Sequence, residues 1–238
     1  MWLDRTNLLL KQEKLEKLQT ANVLVVGLGG VGAFATEYLV RAGIGNLTII
    51  DGDTIDETNI NRQLPALHST LGKRKTEVMQ ERLLDINPDV RINVISRFIQ
   101  PDAFETLVTD QKYDYIIDAI DSVSPKIYLI LAAKRNKIKI VSAMGAGGKM
   151  DPSKVKVSDI SKTRDDFLAR VIRKRLKKHG YQKGIKCVFS TELQDENALQ
   201  MTDNSGFKKS HYGTISYMPA LFGLYAAAEV IKYLINRG

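Results

Sequence analysis

The segment Asn22–Gly32 constrains the fold more than any other part of this sequence. Four consecutive apolar residues, Val23–Val26, lead into a cluster of glycines and then into a helical pattern. This order predicts a buried strand, a tight loop and a helix. In the G-x-G-x-x-G spacing the first glycine makes the turn, the second lets the backbone approach a phosphate, and the third lets the helix pack on the strand. The glycines with this spacing are Gly27, Gly29 and Gly32. The N–H groups at the start of the helix also favour a polyphosphate, so a nucleotide site is expected.

The residues after the second predicted strand indicate which nucleotide binds. The strand Leu47–Asp53 ends in carboxylates, and Asp51 lies 24 residues beyond Gly27, about where a ribose-binding acid is expected. A dehydrogenase that uses NAD would need no further motif. Here Arg62 and Lys75 follow and add positive charge suited to a triphosphate. The sequence therefore favours ATP over NAD.

The remaining periodicity predicts an α/β protein with a Rossmann-like, doubly wound, mainly parallel sheet and helices on both faces. Ligands of such sheets bind beyond the carboxyl ends of the strands, where Asp51 and Asp121 both fall. No linker-like stretch divides the 238 residues. We therefore expect one domain over residues 1–238, with a nucleotide-binding half at 1–145 and a substrate-side half at 146–238.

Four elements outside the nucleotide motif are predicted from their residue pattern. They are an amphipathic helix at 3–19, a second one at 165–178, a mobile loop at 192–210 and a long apolar helix at 216–235. The apolar stripe predicted for the helix at 165–178 consists of Phe167, Leu168, Val171, Ile172 and Leu176.

The positive charge of the chain is concentrated in one segment. The whole chain carries +8, and the segment from Lys162 to Lys186 contains ten Lys or Arg residues and two Asp, so the remainder is close to neutral. Such a segment suits a phosphate-rich partner, although a solvated helix face is the alternative. The basic face of the predicted helix consists of Arg170, Arg173, Lys174, Lys177 and Lys178.

Composition limits the compartment and the metal chemistry. No apolar run is expected to reach the length of a membrane span, and Glu229 and Lys232 argue against a span in the helix at 216–235. The first residues lack the basic-then-apolar order of a signal peptide, so a cytoplasmic protein is expected. The single cysteine, Cys187, excludes an intramolecular disulfide and a four-thiolate zinc site.

Several motifs together carry a resemblance to a known family. The glycine loop has an extra Gly30, and further along stand Asn59-x-x-Arg62-Gln63, Gly72-x-x-Lys75 and Asp118-Ala-Ile-Asp121. In order and spacing the chain resembles the ubiquitin-activating-type adenylyltransferases over its first two thirds. Within that superfamily it looks most like the bacterial tRNA threonylcarbamoyladenosine dehydratases. The segments that extend this likeness to almost the whole chain are Ile120–Lys126, Gly145–Gly148, Asp151-Pro152 and Cys187–Glu192.

The resemblance implies adenylation of the threonyl carboxylate of threonylcarbamoyladenosine at position 37 of tRNA, followed by ring closure within the substrate. It implies ATP, Mg²⁺ held by Asp121, a homodimer, and Arg5 reaching the triphosphate together with Arg62 and Lys75. A monovalent cation and a sulfur-transfer or sulfur-acceptor protein are further candidates, and the basic helix becomes a candidate tRNA contact. The nucleotide-binding residues that it implies are Gly27, Gly29, Gly30, Gly32, Asp51, Asp53, Asn59, Arg62, Lys75, Asp121 and Ser122.

Each of these interpretations has a structural alternative. Arg5 can be a surface residue, and Asp121 or Ser122 can cap the following helix. The glycines at 145–148 suit either an approach to the adenylated substrate or a cation, or a crowded turn. Cys187 invites comparison with a thioester nucleophile, but a cysteine within an apolar strand is more often a packing residue.

Two other functions compete with the dehydratase interpretation. An adenylyltransferase for a sulfur-carrier protein resembles the first half of the chain, but those enzymes commonly carry paired C-x-x-C zinc motifs that one cysteine cannot supply. A non-catalytic NAD-binding protein leaves Arg62, Lys75 and Asp121 without a role.

Overall fold

The computed structural model describes residues 2–201 and 210–237. Its helices are α1 (Asp4–Leu10), α2 (Gln12–Thr20), α3 (Gly32–Arg41), α4 (Lys75–Ile86), α5 (Ala103–Thr109), α6 (Val123–Arg135), α7 (Phe167–Lys178) and α8 (Tyr217–Asn236). Its strands are β1 (Asn22–Val26), β2 (Asn46–Ile50), β3 (Arg91–Ile95), β4 (Tyr115–Asp118), β5 (Lys139–Ala143), β6 (Val155–Asp159), β7 (Lys186–Ser190), β8 (Leu199–Met201) and β9 (Ser210–Tyr212).

Seven of the strands form one sheet in the order β3-β2-β1-β4-β5-β7-β6. All neighbours are parallel except β6 and β7, which are antiparallel at one edge. The predicted doubly wound, mainly parallel fold is therefore confirmed. The chain runs outward from β1 in one direction to β3 and then in the other direction from β4, so the switch point lies between β1 and β4. Their carboxyl ends carry the glycine loop and the segment of Asp121.

Both faces of the sheet are buried, as a parallel sheet requires. Along β1, Val23 and Val25 belong to a core with α3 and α8, while Leu24 and Val26 belong to the core under α5, α6 and α7. Gly223 of α8 approaches α3 closely, since a Cβ built there would lie 2.4 Å from the carbonyl oxygen of Val31.

The predicted single helix at 3–19 is wrong. Two helices occupy this segment, and Lys11 between them has φ of 66°, which is outside the helical region. Leu15 and Leu18 of α2 are buried, whereas Leu8 of α1 is exposed. The residue pattern predicted one continuous amphipathic helix, but only the second part of the segment packs on the core.

The helix predicted at 165–178 is present from Phe167, and its apolar face differs from the prediction. Ile172 and Leu176 are buried together with Ala169, which is absent from the predicted stripe. Phe167 is 56% exposed instead of buried. It lies in the first turn of the helix, where the Arg170 guanidinium covers its ring at 5.0 Å from the centroid.

The predicted loop at 192–210 contains regular structure in its described part. A two-stranded antiparallel sheet pairs β8 with β9, and a 3₁₀ turn precedes it. Residues 202–209 of the predicted loop lie outside the described residues.

The expectation that no apolar run reaches membrane-span length is wrong for α8, which is long and apolar enough by length and composition. This is weak evidence for a span, because buried core helices meet the same criteria. In this fold α8 packs against the sheet and α3. Its side chains that belong to the core include those of Met218, Phe222, Ala226, Val230 and Leu234.

Candidate nucleotide-binding site

Two of the three glycines of the motif have the structural roles that their spacing predicts, and the third is accessible. Gly27 has φ of 95°, and a Cβ there would lie 2.8 Å from the carbonyl oxygen of Ala119. A Cβ on Gly32 would lie 1.7 Å from the carbonyl oxygen of Gly27, so only glycine fits where α3 begins. Around Gly29 the space is open, with the Gln63 side chain nearest at 3.8 Å. The loop is therefore closed against β4 and accessible at its second glycine, where a phosphate would approach.

Gly30, the additional glycine of the motif, is required for packing. A Cβ on Gly30 would lie 2.8 Å from Cβ of Pro219 and 3.0 Å from the carbonyl oxygen of Arg62. Gly30 therefore allows the start of α8 and the segment of Arg62 to reach the loop. Its predicted nucleotide contact remains a prediction.

Asp51, which directly follows β2, stabilises the glycine loop through a hydrogen bond. One carboxylate oxygen accepts a hydrogen bond from the backbone N–H of Leu28 at 2.6 Å, and the other accepts one from Asp53 N–H at 2.8 Å. Burial is the main influence on this group and raises the pKa of Asp51, against the lowering effect of the Lys75 charge. Each oxygen retains a lone pair, so a ribose hydroxyl remains a possible partner.

Lys75 is brought to the same edge as the first residue of α4. Its ammonium lies 2.8 Å from Oδ2 of Asp53, and the residue is only 4% exposed. The Asp53 side chain remains about half exposed. The buried cation is thus held by a carboxylate that solvent also reaches.

Arg62 follows a capped 3₁₀ turn. Asn59 Oδ1 accepts a hydrogen bond from Asp56 N–H at 3.3 Å, so Asn59 shapes the turn. The Arg62 guanidinium donates to the carbonyl oxygen of Thr58 at 2.7 Å and to Asn61 Oδ1 at 2.8 Å. Burial lowers the pKa of Arg62, and the nearby charge of Asp121 opposes this shift. The structure therefore brings the predicted phosphate-binding arginine within electrostatic range of the predicted magnesium ligand.

Asp121 and Ser122 lie between β4 and α6. The Ser122 hydroxyl donates to Oδ1 of Asp121 at 3.2 Å, and Asp121 is exposed. Ser122 occupies the N-cap position of α6 without a side-chain capping hydrogen bond in the described structure. The capping alternative therefore gains no support. Among the residues that the structure describes, no group of three or more His, Cys, Asp or Glu gathers into a metal cage.

A buried polar network behind Asp121 was missed by the sequence analysis. Lys126 Nζ donates to Asp118 Oδ2 at 2.8 Å, to Ser142 Oγ at 3.2 Å and to the carbonyl oxygen of Ala143 at 2.9 Å. All three side chains are fully buried. A lysine directly before the apolar run of this helix, eight residues after an aspartate, was the available signal. The network ties the end of β4 to α6 and β5, on both sides of the loop that carries Asp121.

Arg5 is not brought together with Arg62 and Lys75 within the chain. Leu3, two residues earlier, lies beside Gly43, with 3.2 Å between a leucine methyl carbon and a Cβ built on that glycine. Gly43 follows the carboxyl end of α3, about 15 Å along the helix from the glycine loop. Arg5 is exposed on α1. A phosphate contact from Arg5 therefore remains a prediction that concerns a second copy of the chain.

The basic face of α7 is present, with one residue in a different role. Arg173 is half-buried and donates to both the carbonyl oxygen of Thr163, at 2.9 Å, and its hydroxyl, at 2.5 Å. The other four predicted contacts, Arg170, Lys174, Lys177 and Lys178, are exposed. A groove of about 450 Å³ lies beside the helix. It is lined by Ser161, Arg170, Arg173, Lys174, Lys177 and Gln182.

Cys187 has the properties of a packing residue. It is fully buried in β7, and burial raises the pKa of its thiol well above the ordinary value. A reactive cysteine requires an accessible thiolate, so this environment supports the structural interpretation.

The second half of the glycine segment at 145–148, which follows β5, forms a crowded turn. A Cβ on Gly147 would lie 2.9 Å from Cβ of Tyr212, and Gly148 has φ of 69° with the Tyr212 ring equally close. At Gly145 the nearest atom, in the Gln194 side chain, is 3.5 Å away. The turn interpretation therefore holds for Gly147 and Gly148, while Gly145 has room for a side-chain methyl group.

Comparison with known proteins identifies the family. The model of the ThiF family matches residues 3–238. The chain belongs to the ThiF family. This ThiF-family chain is 41% identical over 235 residues to the tRNA threonylcarbamoyladenosine dehydratase of Haemophilus influenzae, covering 94% of the chain and 90% of the relative. It is 37% identical over 239 residues to the Bacillus subtilis protein of the same name, covering 98% and 94%.

Solved structures agree with this relationship. The Escherichia coli tRNA N6-threonylcarbamoyladenosine dehydratase in complex with ATP superposes on the ThiF-family chain with a TM-score of 0.87 at 39% identity, covering 97% of this chain and 92% of that one. By contrast, the molybdopterin-synthase adenylyltransferase of Salmonella typhimurium is 36% identical over 139 residues, which is 58% of this chain and 54% of that protein. This match therefore extends over little more than half of the chain, whereas the matches to the dehydratases extend over nearly all of it.

Proposed function

We propose that this chain uses ATP to adenylate the threonyl carboxylate of threonylcarbamoyladenosine at position 37 of tRNA and lets the activated group cyclise. The observation that carries the proposal is the convergence of the accessible Gly29 backbone, Lys75, Arg62 and Asp121 at one edge of the sheet. Three charged side chains there suit a triphosphate and its counter-ion better than the single diphosphate of NAD. The extent of similarity to the dehydratases, over nearly the whole chain, supports the tRNA substrate.

The reaction needs little covalent chemistry from the protein. A carboxylate oxygen of the substrate attacks the α-phosphorus of ATP, and the bond from that phosphorus to the bridging oxygen of pyrophosphate breaks. A nucleophile in the same modified nucleoside then attacks the acyl carbon, the ring closes and AMP leaves. The water formally lost from the substrate is accounted for by cleavage of ATP to AMP and pyrophosphate. Positioning and charge neutralisation supply the rate enhancement.

The residues predicted to bind the phosphates and the ribose have a place in this scheme. The backbone at Gly29 receives phosphate oxygens, and Lys75 and Arg62 neutralise the charge that moves onto pyrophosphate. Asp51 orients the loop through Leu28 N–H and accepts from the ribose. Arg5 of a second copy completes the phosphate contacts, which makes a homodimer part of the proposal.

Magnesium fits the site as an ion shared with the phosphates. Mg²⁺ prefers octahedral oxygen ligands and is held in such sites by one or two carboxylates together with phosphate and water. The exposed Asp121 carboxylate offers such a ligand. When bound, the ion would neutralise phosphate charge, while Arg62 and Lys75 hold the oxygens in place. A monovalent cation near Gly145 remains a further proposal.

The exposed basic face of α7 is the proposed tRNA contact. Lysine and arginine side chains neutralise backbone phosphates without reading sequence, which suits recognition of a large folded RNA. The groove beside Arg170, Lys174 and Lys177 has a positive charge suited to a phosphate backbone. Because capture of the acyl group is intramolecular, no protein thiol is needed, and this agrees with the burial of Cys187.

Three features of cellular context belong to the same proposal. We place the protein in the cytoplasm, where tRNA and ATP are available. We assign residues 1–145 to nucleotide binding and 146–238 to substrate binding within one domain. A sulfur-transfer or sulfur-acceptor protein is a second candidate partner.

The test is incubation of the protein with ATP and threonylcarbamoylated tRNA, followed by mass analysis of the nucleosides. The expected product has lost one water, and AMP and pyrophosphate appear in equal amount. Unmodified tRNA is the control and should give no dehydrated nucleoside and no AMP or pyrophosphate. Calorimetry should show binding of ATP and no comparable binding of NAD. Binding of NAD without ATP would contradict the nucleotide assignment.

A further inference from the structure

A buried ion pair connects the glycine turn after β5 to the first turn of the basic helix α7. Lys149 Nζ lies 2.6 Å from Oδ2 of Asp166, with side chains 0% and 1% exposed. The other carboxylate oxygen of Asp166 accepts a hydrogen bond from Ala169 N–H at 2.9 Å and caps α7. A single carboxylate therefore holds both the lysine that ends the turn and the start of the helix.

The turn held by Lys149 begins at the edge of the sheet where the nucleotide motifs converge. In the register of β4 and β5, Asp118 is paired with Ser142, and Gly145 follows shortly after. A Cβ on Gly145 would lie 3.9 Å from Oδ1 of Asp166, so the turn and the helix start are in contact. The ion pair thus lies between the adenylation edge and the proposed tRNA contact.

The far side of the turn is also linked to the nucleotide motifs. Gly148 N–H donates to the carbonyl oxygen of Gly213 at 2.8 Å. In the same segment the carbonyl oxygen of Thr214 accepts from Asn61 Nδ2 at 2.9 Å, and Asn61 is the neighbour of Arg62. The turn at 145–148 is therefore held between the Arg62 segment and α7.

Neither stability nor capping requires this pair. Removing two charges from water offsets much of their attraction, and well-packed apolar side chains often replace a buried pair without loss of stability. The cap needs one side-chain oxygen at Asp166 and no lysine. A buried ammonium does, however, need its carboxylate at a fixed distance, which defines the relative placement of the two segments.

On the basis of the proposed function, we propose that Lys149 and Asp166 are positioning residues, which fix α7 relative to the adenylation edge so that bound tRNA presents its carboxylate to the glycine loop. Both side chains are buried, so their effect is on placement and they make no contact with substrate. Loss of the pair lowers the rate with both substrates bound more than it lowers either affinity, because misplacement by about 1 Å can cost 10²-fold in rate.

The test compares the wild-type protein with the double variant Lys149→Met, Asp166→Asn, which removes both charges and keeps a capping oxygen. We expect dissociation constants for ATP and for threonylcarbamoylated tRNA within about 3-fold of wild type, and kcat at saturation reduced by roughly 10-fold or more. The single variant Lys149→Arg, which keeps both charges of the pair, should retain most of the wild-type kcat. Lys154→Met is the matched control, because Lys154 forms an exposed pair with Asp151 at 3.6 Å.

Amide hydrogen exchange gives a second readout, and one part of it needs only the wild-type protein. In the wild-type protein, bound tRNA should slow amide exchange in α7 and at residues 145–148 together. In the double variant it should slow exchange in α7 alone. If the variant does not fold, the wild-type measurement decides, and protection of α7 without any at 145–148 overturns the proposal.

Other outcomes also overturn it. These are an unchanged kcat in the folded double variant, a loss of ATP affinity that accounts for the slower rate, or a loss of tRNA affinity alone. Failure of the proposed function is recognised separately, since the wild-type protein would then release no AMP with threonylcarbamoylated tRNA. If tRNA binds but is not adenylated, the comparison of amide hydrogen exchange in α7 and at residues 145–148 would still test the role of the Lys149–Asp166 ion pair. If the wild-type protein does not bind tRNA, both the proposed function and the positioning role of the ion pair are overturned.

Discussion

Lys75 is placed to exchange one anionic partner for another. Its ammonium is buried beside Asp53, whose carboxylate is half exposed and so has water as an alternative partner. When a phosphate enters the site, the lysine can turn to it without leaving an unpaired charge in the interior. Arg62 differs, because its present partners are the neutral oxygens of Thr58 and Asn61.

Lys75→Ala and Arg62→Ala should each reduce turnover by about 10²-fold or more, the magnitude typical of removing one preorganised charge from a transition state. The reason is that each side chain neutralises charge that moves onto pyrophosphate. The measurement is AMP release at saturating ATP and tRNA. Lys73→Ala is the control, because Lys73 is exposed two residues before Lys75. Near wild-type turnover in either site variant would count against the phosphate assignment.

Cys187→Ser should remain active, because the activated acyl group is captured within the substrate. The hydroxyl enters a fully buried position, so a loss of about 1–3 kcal/mol in the free energy of unfolding is expected. Cys187→Ala serves as the control without a new polar group. Turnover and thermal unfolding are measured together, and loss of turnover in a folded variant would revive a thioester mechanism.

Within α7 the five basic residues divide into two groups. Arg173 anchors the helix to Thr163, so its replacement would disturb the fold as well as the charge. Lys174 and Lys177 are exposed and line the groove. A test of the phosphate contact should therefore leave Arg173 unchanged.

Lys174→Glu with Lys177→Glu should weaken tRNA binding, because the helix then neutralises fewer backbone phosphates. The slope of log affinity against log salt should fall by roughly one unit or a little less for each phosphate that is no longer neutralised. ATP affinity without tRNA should remain at the wild-type value, since neither residue belongs to the nucleotide motifs. The measurement is a titration with tRNA at several salt concentrations.

The matched control is Lys14→Glu with Lys112→Glu, which changes two exposed lysines outside α7 and gives the same net charge. If both double variants lose equal affinity, the effect comes from net charge. If the α7 variant keeps both its affinity and its slope, the helix is a solvated face and tRNA binds elsewhere.

The molecule as a whole depends on close contacts between segments that are far apart in the sequence. Residues of α8, near the carboxyl end of the chain, pack against the glycine loop, which lies near the amino end. Pro219 contacts Gly30, and Gly223 contacts Val31. The nucleotide site is therefore formed by the complete fold and requires more than its local motif.

Gly223→Ala should destabilise the whole protein. A Cβ there would lie 2.4 Å from the carbonyl oxygen of Val31, and a backbone atom can move only with its helix. Overpacking, partly offset by the better helix propensity of alanine, is expected to lower stability by about 1–2 kcal/mol and the melting temperature by roughly 2–8 °C. ATP affinity should also fall, because Val31 belongs to the glycine loop. Leu224→Ala, at an exposed neighbouring position, is the control for thermal unfolding.

Local patterns predicted the regular elements well and their relationships poorly. Residues that must form a tight turn or a buried strand leave a signal within a few positions, so β1 and the glycine loop were predicted closely. The second strand was predicted to reach Asp53, whereas β2 ends at Ile50. The break at Lys11 and the exposure of Phe167 were missed, because each depends on what packs against the segment. The same holds for Ala169, a small residue that is buried only because α7 packs on the core.

Spacing and periodicity are properties of the chain alone, and they were enough to predict the fold class, the edge of the sheet proposed to bind the nucleotide and the concentration of charge near α7. Which polar residues share a buried environment became evident only from the folded chain. Lys126 lies eight residues from Asp118, and Lys149 lies 17 residues from Asp166. The sequence could at most draw attention to a lysine among apolar residues, and it did not identify the carboxylate with which either lysine pairs. A buried charge is tolerated only beside its partner, and folding determines which groups become neighbours.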